Sequence, residues 1–198
     1  METKKFQKYL NMIFVTSDIH FSHSNIIKYC NRPFENIFEM DNYIIKKWNE
    51  TISYDDTIYI LGDFMFSRNI ENIENYVNKL NGYKILVLGN HDNFSIDDYK
   101  LAGFNEVYDG IIEKYIHNKR WIMCHYQMAH WNGSHKGSFH LFGHEHWKQQ
   151  YELKHSLYKE LHFSERKYNV CMDANNFTPI NFLYLTKKLE TREINNNF

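Results

Sequence analysis

Apolar residues along this chain gather in short runs, each broken off by a small or polar residue. Met12–Thr16 (MIFVT) runs into Ser17-Asp18, Thr57–Leu61 (TIYIL) into Gly62-Asp63, and Lys84–Leu88 (KILVL) into Gly89-Asn90. Such runs predict buried strands that end in loops. Further strand patterns lie at Glu106–Tyr108, Ile111–Ile116, Trp121–Cys124, Phe139–Phe142, Asn169–Met172 and Ile180–Leu185. Elsewhere the spacing turns helical, at Ser24–Tyr29, Met40–Trp48, Ile70–Leu80 and Ile96–Leu101. In the third of these, Ile70, Ile73, Val77 and Leu80 share one face, as an amphipathic helix requires. The stretch Trp147–Lys167 is polar and charged, and Leu153–Phe163 within it fits one helix.

Strands alternate with helices early and follow one another later, which indicates an α/β layered domain. A chain of 198 residues suffices for one core and falls short of what usually forces two. We read 1–198 as a single domain, with frayed ends at 1–11 and 190–198. The 23 basic residues nearly balance the 24 acidic ones. That balance argues against long, non-specific nucleic-acid binding and leaves a nucleotide or a strand end open as substrate. Cys30, Cys124 and Cys171 stand far apart, which speaks for a reduced compartment and against a disulfide frame or zinc ribbon. With no signal peptide and no apolar stretch of membrane-span length, the chain reads as cytoplasmic, with no membrane partner.

The twelve histidines change the picture through their spacing. Five apolar runs end in a polar signature: Asp18-x-His20, Gly62-Asp63, Gly89-Asn90-His91-Asp92, His125, and Gly143-His144-x-His146. Loops at strand carboxyl ends of an open α/β sheet meet at one edge, so residues far apart in sequence can share a site. Neutral imidazole nitrogens and carboxylate oxygens suit manganese, iron, nickel, cobalt or zinc ions. Asp63 has two oxygens and can bridge two ions, while Asn90 coordinates without adding negative charge. A glycine before Asp63, Asn90 and His144 lets the backbone turn sharply and approach closely.

These motifs, in this order, resemble the calcineurin-like metallophosphoesterase superfamily over roughly Ile13 to Pro179. Asn31-Arg32-Pro33-Phe34, Met40-Asp41, Trp48-Asn49, Trp131-Asn132-Gly133-Ser134 and Gly137-Ser138-Phe139-His140-Leu141-Phe142 resemble a small bacterial and phage branch of predicted phosphoesterases. The resemblance implies a four-layer α-β-β-α sandwich of two mixed sheets flanked by helices. It also implies two divalent ions, manganese foremost. Asp18, His20, Asp63 and His146 would hold one ion. Asp63, Asn90, His125 and His144 would hold the other, with Asp63 shared. A hydroxide bridging the ions would attack phosphorus, His91 would protonate the leaving oxygen, and Asp92 would orient the His91 ring. The expected activity is phosphate-ester hydrolysis, leaning to phosphodiesters of nucleotides or short nucleic-acid ends. A phosphomonoesterase with the same site is the alternative. A docking scaffold that had lost turnover, or a nuclease subunit with an ATPase partner, ranks lower because every motif residue is present and no added domain is visible.

Around this set stand secondary candidates. Arg32 can bind phosphate through its guanidinium fork, against a surface place in the Arg-Pro-Phe turn. His23 can face substrate, against a role at a helix start. His130, His135 and His140 read better as core or surface residues, Trp131 as packing beneath its own loop, and Tyr126 as structural. Alternation turns Cys124 away from the site. The basic residues between Lys148 and Lys167 are interleaved with Glu152, Glu160 and Glu165, which favours a solvated face.

Overall fold

The structure, a computed structural model, describes residues 11–146 and 166–195, with side chains through Thr191. The Leu153–Phe163 helix expectation lies outside the described residues. Two mixed sheets form the frame. The first has the order β4-β3-β2-β1-β9, built from β1 (Ile13–Thr16), β2 (Thr57–Leu61), β3 (Tyr83–Val87), β4 (Glu106–Tyr108) and β9 (Ile180–Asn181). Its first four strands are parallel and β9 is antiparallel to β1. The second sheet has the order β5-β6-β7-β8, built from β5 (Ile112–Ile116), β6 (Lys119–Met123), β7 (Phe139–Phe142) and β8 (Lys167–Asn169). There β5 and β6 form a hairpin whose two loop residues, His117 and Asn118, have φ of 50° and 60°, the left-handed pair that suits the strand twist.

The central strands are mostly apolar because both faces of the first sheet are covered. Phe14, Ile58, Ile60 and Leu86 pack with Ile44 and Trp48 of α2 (Ile37–Thr51), Ile73 and Val77 of α3 (Ile70–Val77), and Tyr99 of α4 (Ile96–Leu101). The alternate residues Val15, Tyr59, Leu61, Ile85 and Val87 pack with Trp121, Met123, Phe139 and Leu141 of the second sheet. The short α1 (Ser24–Tyr29) adds Ile26 to the helical side. Asn36 caps α2 by accepting from the Glu39 amide, and Ser95 with Asp98 forms a capping box on α4, satisfying amides that a helix start leaves open.

Two expected strands are corrected. At Asn169–Met172 the strand lies earlier, at Lys167–Asn169, and the chain then turns through a 3₁₀ segment at Met172–Ala174. At Ile180–Leu185 only two residues pair; α5 (Phe182–Asn195) begins directly after them and passes the expected frayed boundary at Glu190. The reason is spacing. Phe182, Leu185 and Leu189 recur at helical intervals and enter the core between the sheets. Asn181 accepts the Leu183 amide at 2.8 Å and starts the helix. Among the described residues, no helix is long and apolar enough to cross a membrane.

Trp48 is fully buried, and its indole N–H donates to the Asn81 carbonyl at 3.0 Å. Trp48→Ala is expected to cost about 3–5 kcal/mol of stability, read as a lower urea midpoint. A midpoint equal to wild type would show that α2 does not anchor the first sheet.

Candidate metal centre

The loops leaving β1, β2, β6 and β7 are tied to one another beyond the ends of the strands. Asp18 N–H donates to Gly62 O at 3.0 Å, His20 N–H to Asp63 O at 3.0 Å, and Gly143 N–H to His125 O at 2.9 Å. Asp18, His20, Asp63 and His144 have φ of 55°, 56°, 55° and 66°. Left-handed backbone is costly for such residues and persists where surrounding contacts over-determine it. The loops also approach too closely for side chains. A Cβ at Gly89 would lie 2.7 Å from Asp63 N, and one at Gly143 would lie 2.5 Å from Asp18 Oδ2. Glycine is required at both places by contact alone.

Hydrogen bonds fix which nitrogen of two rings faces inward. His125 Nδ1 is 2.8 Å from the Leu61 carbonyl, and His146 Nδ1 is 2.8 Å from Asp173 Oδ2. Each Nδ1 therefore carries a proton, and Nε2 is turned to the cluster, the arrangement of a metal-ligating histidine. His125 Nε2 lies 3.5 Å from Asp63 Oδ2 and 3.0 Å from Asn90 Oδ1. His20 Nε2 lies 3.5 Å from the same Asp63 oxygen. It is buried without a hydrogen-bond partner, a condition it shares among the described side chains with Thr16 Oγ1. His146 Nε2 is 3.8 Å from Asp18 Oδ1. Donor atoms of Asp18, His20 and His146 fall within 4.8 Å of one another, as do those of Asp18, Asp63 and His125. His144 donates its backbone N–H to both oxygens of Asp18, at 3.0 and 2.9 Å, and packs its exposed ring against His125.

The electrostatics of this cluster call for positive charge. Burial pushes the Asp18 carboxyl up. Burial opposes charge on the His125 ring, but the hydrogen bond with Asp63 and the field of Asp18 carry its pKa up to about 9. For His146 burial again opposes, and Asp173 foremost takes the value up to about 10. Asp63 resists its own burial through His125 and falls to about 2. A nitrogen lone pair of His125 facing the Asn90 oxygen at 3.0 Å is tolerable only with a proton or a cation between them. Divalent metal ions would supply that charge without protons, and the imidazole and oxygen donors fit them.

The surrounding residues overturn three expectations. Asp92 does not orient His91: its carboxylate accepts from the amides of Asp63 (2.8 Å), Phe64 (3.1 Å) and Gly89 (2.8 Å), clamping two of the loops together. Arg32 is neither a phosphate ligand nor a surface residue. It is buried, pairs bidentately with Asp173 at 2.9 and 2.8 Å, and donates to the carbonyls of Ile19 and Asp18 at 2.9 and 2.8 Å. Its fork is committed to bracing the Asp18 loop. Tyr126 is half exposed at the mouth, its ring 4.8 Å from His144 and its hydroxyl 3.5 Å from Asn90 Oδ1. Asp173, the partner of both Arg32 and His146, was invisible in sequence because nothing in its local pattern marks a ligand brace.

His91 anchors through its backbone N–H to Asp63 Oδ1 at 2.9 Å and sets its ring 5.3 Å from that of His20. His23 stands beside both, its Nδ1 3.5 Å from His20 Nδ1, and burial with nearby His91 and Arg32 lowers its pKa. The other candidates lie elsewhere. His140 is buried and bonded to Ile122 O and the Met128 amide. His130 and His135 are exposed, and Trp131 is buried against Ser138 of its own loop. Cys124 donates its thiol to Tyr126 O, and burial pushes its pKa up to about 11.

Because His125 and His146 are held protonated at neutral pH without metal, Mn²⁺ binding to chelated protein is expected to release protons. The calorimetric enthalpy should then vary with the ionisation heat of the buffer; an invariant enthalpy would mean neutral rings. Arg32→Ala leaves buried Asp173 with His146 as its remaining ionic partner and strips the Ile19 and Asp18 carbonyls of their donor, and is expected to cost about 3–5 kcal/mol in urea denaturation. A loss below 1 kcal/mol, on the scale of about 0–1 for an exposed pair, would rule out the bracing role.

Comparisons with known proteins place nearly the whole chain. The family model for calcineurin-like phosphoesterases matches residues 12–190. Over 97 residues the chain is 40% identical to an uncharacterized protein of Methanocaldococcus jannaschii, covering 48% of this chain and 54% of that one. Over 93 residues it is 32% identical to the gene 66 protein of Mycobacterium phage L5, covering 44% of each. The chain thus spans about half the length of these relatives. A solved protein of unknown function from Aquifex aeolicus superposes with a TM-score of 0.70 at 25% identity, covering 90% of this chain and 99% of that one. With the family model matching nearly the whole described core, the chain belongs to the calcineurin-like phosphoesterase family.

Proposed function

We propose that this protein is a dinuclear metal-dependent phosphoesterase. Asp18, His20, Asp63 and His146 hold one ion, and Asp63, Asn90, His125 and His144 hold the other. The observation that carries this reading is the buried, partnerless Nε2 of His20, facing an Asp63 oxygen that stands equally far, 3.5 Å, from His125 Nε2. When bound, the ions supply a water of lowered pKa and neutralise charge on the phosphoryl oxygens. The chain supplies the rest. Asp63 is oriented by the His91 amide on its other oxygen, leaving Oδ2 to both halves of the site. Asp173 holds the His146 ring in the tautomer that presents Nε2. His91 protonates the leaving oxygen, a role imidazole suits near neutral pH. Manganese is the ion we favour from the family resemblance, and this nitrogen and oxygen set would equally accept nickel, iron, cobalt or zinc; three cysteines without disulfides suit a cytoplasmic setting.

The substrate we favour is a phosphodiester of a nucleotide or a short nucleic-acid end. Support comes from two half-exposed aromatic residues, Phe66 beside His91 and Tyr126 beside His144. A diester carries an organic group on each side of phosphorus, and each would meet a ring.

Hydrolysis of p-nitrophenyl phosphate and bis-p-nitrophenyl phosphate, with Mn²⁺, with Ni²⁺ and after chelation, tests this reading. Chelator-sensitive turnover with preference for the diester is expected; preference for the monoester would make the protein a phosphatase. His91→Ala should keep its metal and lose about 10²–10⁴-fold in turnover of esters with poor leaving groups. Full activity on such esters would remove His91 from catalysis. Asp63→Asn is expected to lose at least one ion by elemental analysis, and two ions at full occupancy would overturn its bridging role.

A further inference from the structure

The site has an unusual wall on the side of His91. Phe66 follows Asp63 by three residues, and its backbone is pinned by an N–H donated to Phe21 O at 2.9 Å, next to the isolated Phe21–Met65 bridge. Its side chain is not drawn into the core by that pin. Phe66 remains 48% exposed, whereas its neighbours Phe64 and Met65 are buried. The ring lies nearly parallel to that of His23, with centroids 4.5 Å apart and planes at 18°. It meets the His91 ring edge-on at 6.0 Å. Tyr29, also exposed, stands at 6.3 Å from His23. His23 is linked at 3.5 Å to His20 of the donor set, so the Phe66–His23 stack is continuous with the metal centre.

An exposed Phe fixed by backbone bonding beside an ionisable ring has no part in folding that the described contacts reveal, since neither face of the first sheet needs it. It does have a place relative to chemistry. The group that departs with the leaving oxygen must begin at His91, and the next surface it meets is the Phe66–His23 stack. A phenyl ring and an imidazole in near-parallel contact present a flat apolar edge with little hydrogen-bonding capacity. That surface favours a planar ring over a hydrated sugar or glycerol group, and ring-on-base stacking tolerates any base.

We infer that Phe66, backed by His23, is a stacking platform that selects substrates whose leaving group carries a planar heteroaromatic ring, such as a nucleoside. This rests on the phosphoesterase reading and names the substrate class of that same site. Phe66 is a specificity-determining residue that touches the leaving group, while His91 does the proton transfer. The platform would bind base after base with little sequence preference, as expected of an enzyme that acts on nucleotides or strand ends without reading them.

The test compares the hydrolysis-resistant phosphonate analogues of adenosine 5′-monophosphate and of ribose 5-phosphate, which differ by the base alone. Their Kd values are measured by calorimetry on the Mn²⁺-loaded protein. Wild type is expected to bind the adenosine analogue at least about tenfold more tightly, the scale of one base stacked on an aromatic side chain. Phe66→Ala and Phe66→Leu should bring the ratio close to one, while Phe66→Tyr should restore it. Leu keeps apolar bulk, so its failure together with recovery in Tyr would separate stacking from simple burial. A ratio near one in wild type, or a wild-type ratio surviving in Phe66→Ala, overturns the platform. Chelator-sensitive turnover of bis-p-nitrophenyl phosphate is read on the same wild-type sample. Turnover with a ratio near one overturns the platform alone, whereas absence of turnover overturns the phosphoesterase reading and the platform with it.

Discussion

The constraint on which the structure turns is an excess of buried acceptors at one point. Asp18 and Asp63 are almost fully buried, His20 presents a bare nitrogen to Asp63, and His125 presents Nε2 to the Asn90 oxygen at 3.0 Å. Groups of this kind repel one another and lose hydration energy on burial, so they stay together only around positive charge. Protons on His125 and His146 can provide it, and divalent ions provide more. A cluster suited to cations is therefore a consequence of how the loops are packed, before any catalytic role is considered.

Holding such a cluster closed requires rigidity, and the protein supplies it from behind. Asp92 gathers three amides from two loops, and the Arg32–Asp173 pair fastens the Asp18 loop to the segment after β8. Glycines at 62, 89 and 143 let these loops touch where a methyl group would collide. The same tightness keeps four ligand candidates in left-handed backbone. The strain is borne by ladder bonds between loops, which themselves rest on two cores that sandwich the first sheet. His146 links the two levels, since its Nδ1 belongs to the brace and its Nε2 to the cluster.

At the mouth the chemistry changes from charged to aromatic. Phe66 and Tyr126 sit beside opposite parts of the donor set, one against His91 and His23, the other against His144 and Asn90. Both are exposed rings on short loops, so under the proposed reading specificity would be carried by side chains one or three residues from a candidate ligand. A phosphoryl group held between them would have its substituents directed by contact rather than by bulk electrostatic attraction, in keeping with the near-neutral charge of the chain.

Amino-acid order alone carried the α/β class, most strands of the first sheet, and the residues whose loops come together beyond the strand ends. Hydrophobic runs record burial directly, and each metal motif sits at the end of one. It also marked the glycines, because close backbone approach excludes every other residue. Tertiary structure decided what local pattern cannot encode. Arg32 lies 141 positions from Asp173, and only folding shows that its fork is spent on a carboxylate. Asp92 looked like a neighbour of His91, yet the loop turns it inward to amides of another loop. The apolar residues of Ile180–Leu185 read as a strand, and the space between the sheets selected a helix from Phe182 onward. Long-range pairing and side-chain direction are properties of the packed chain, and they decide which of the legible residues bind and which brace.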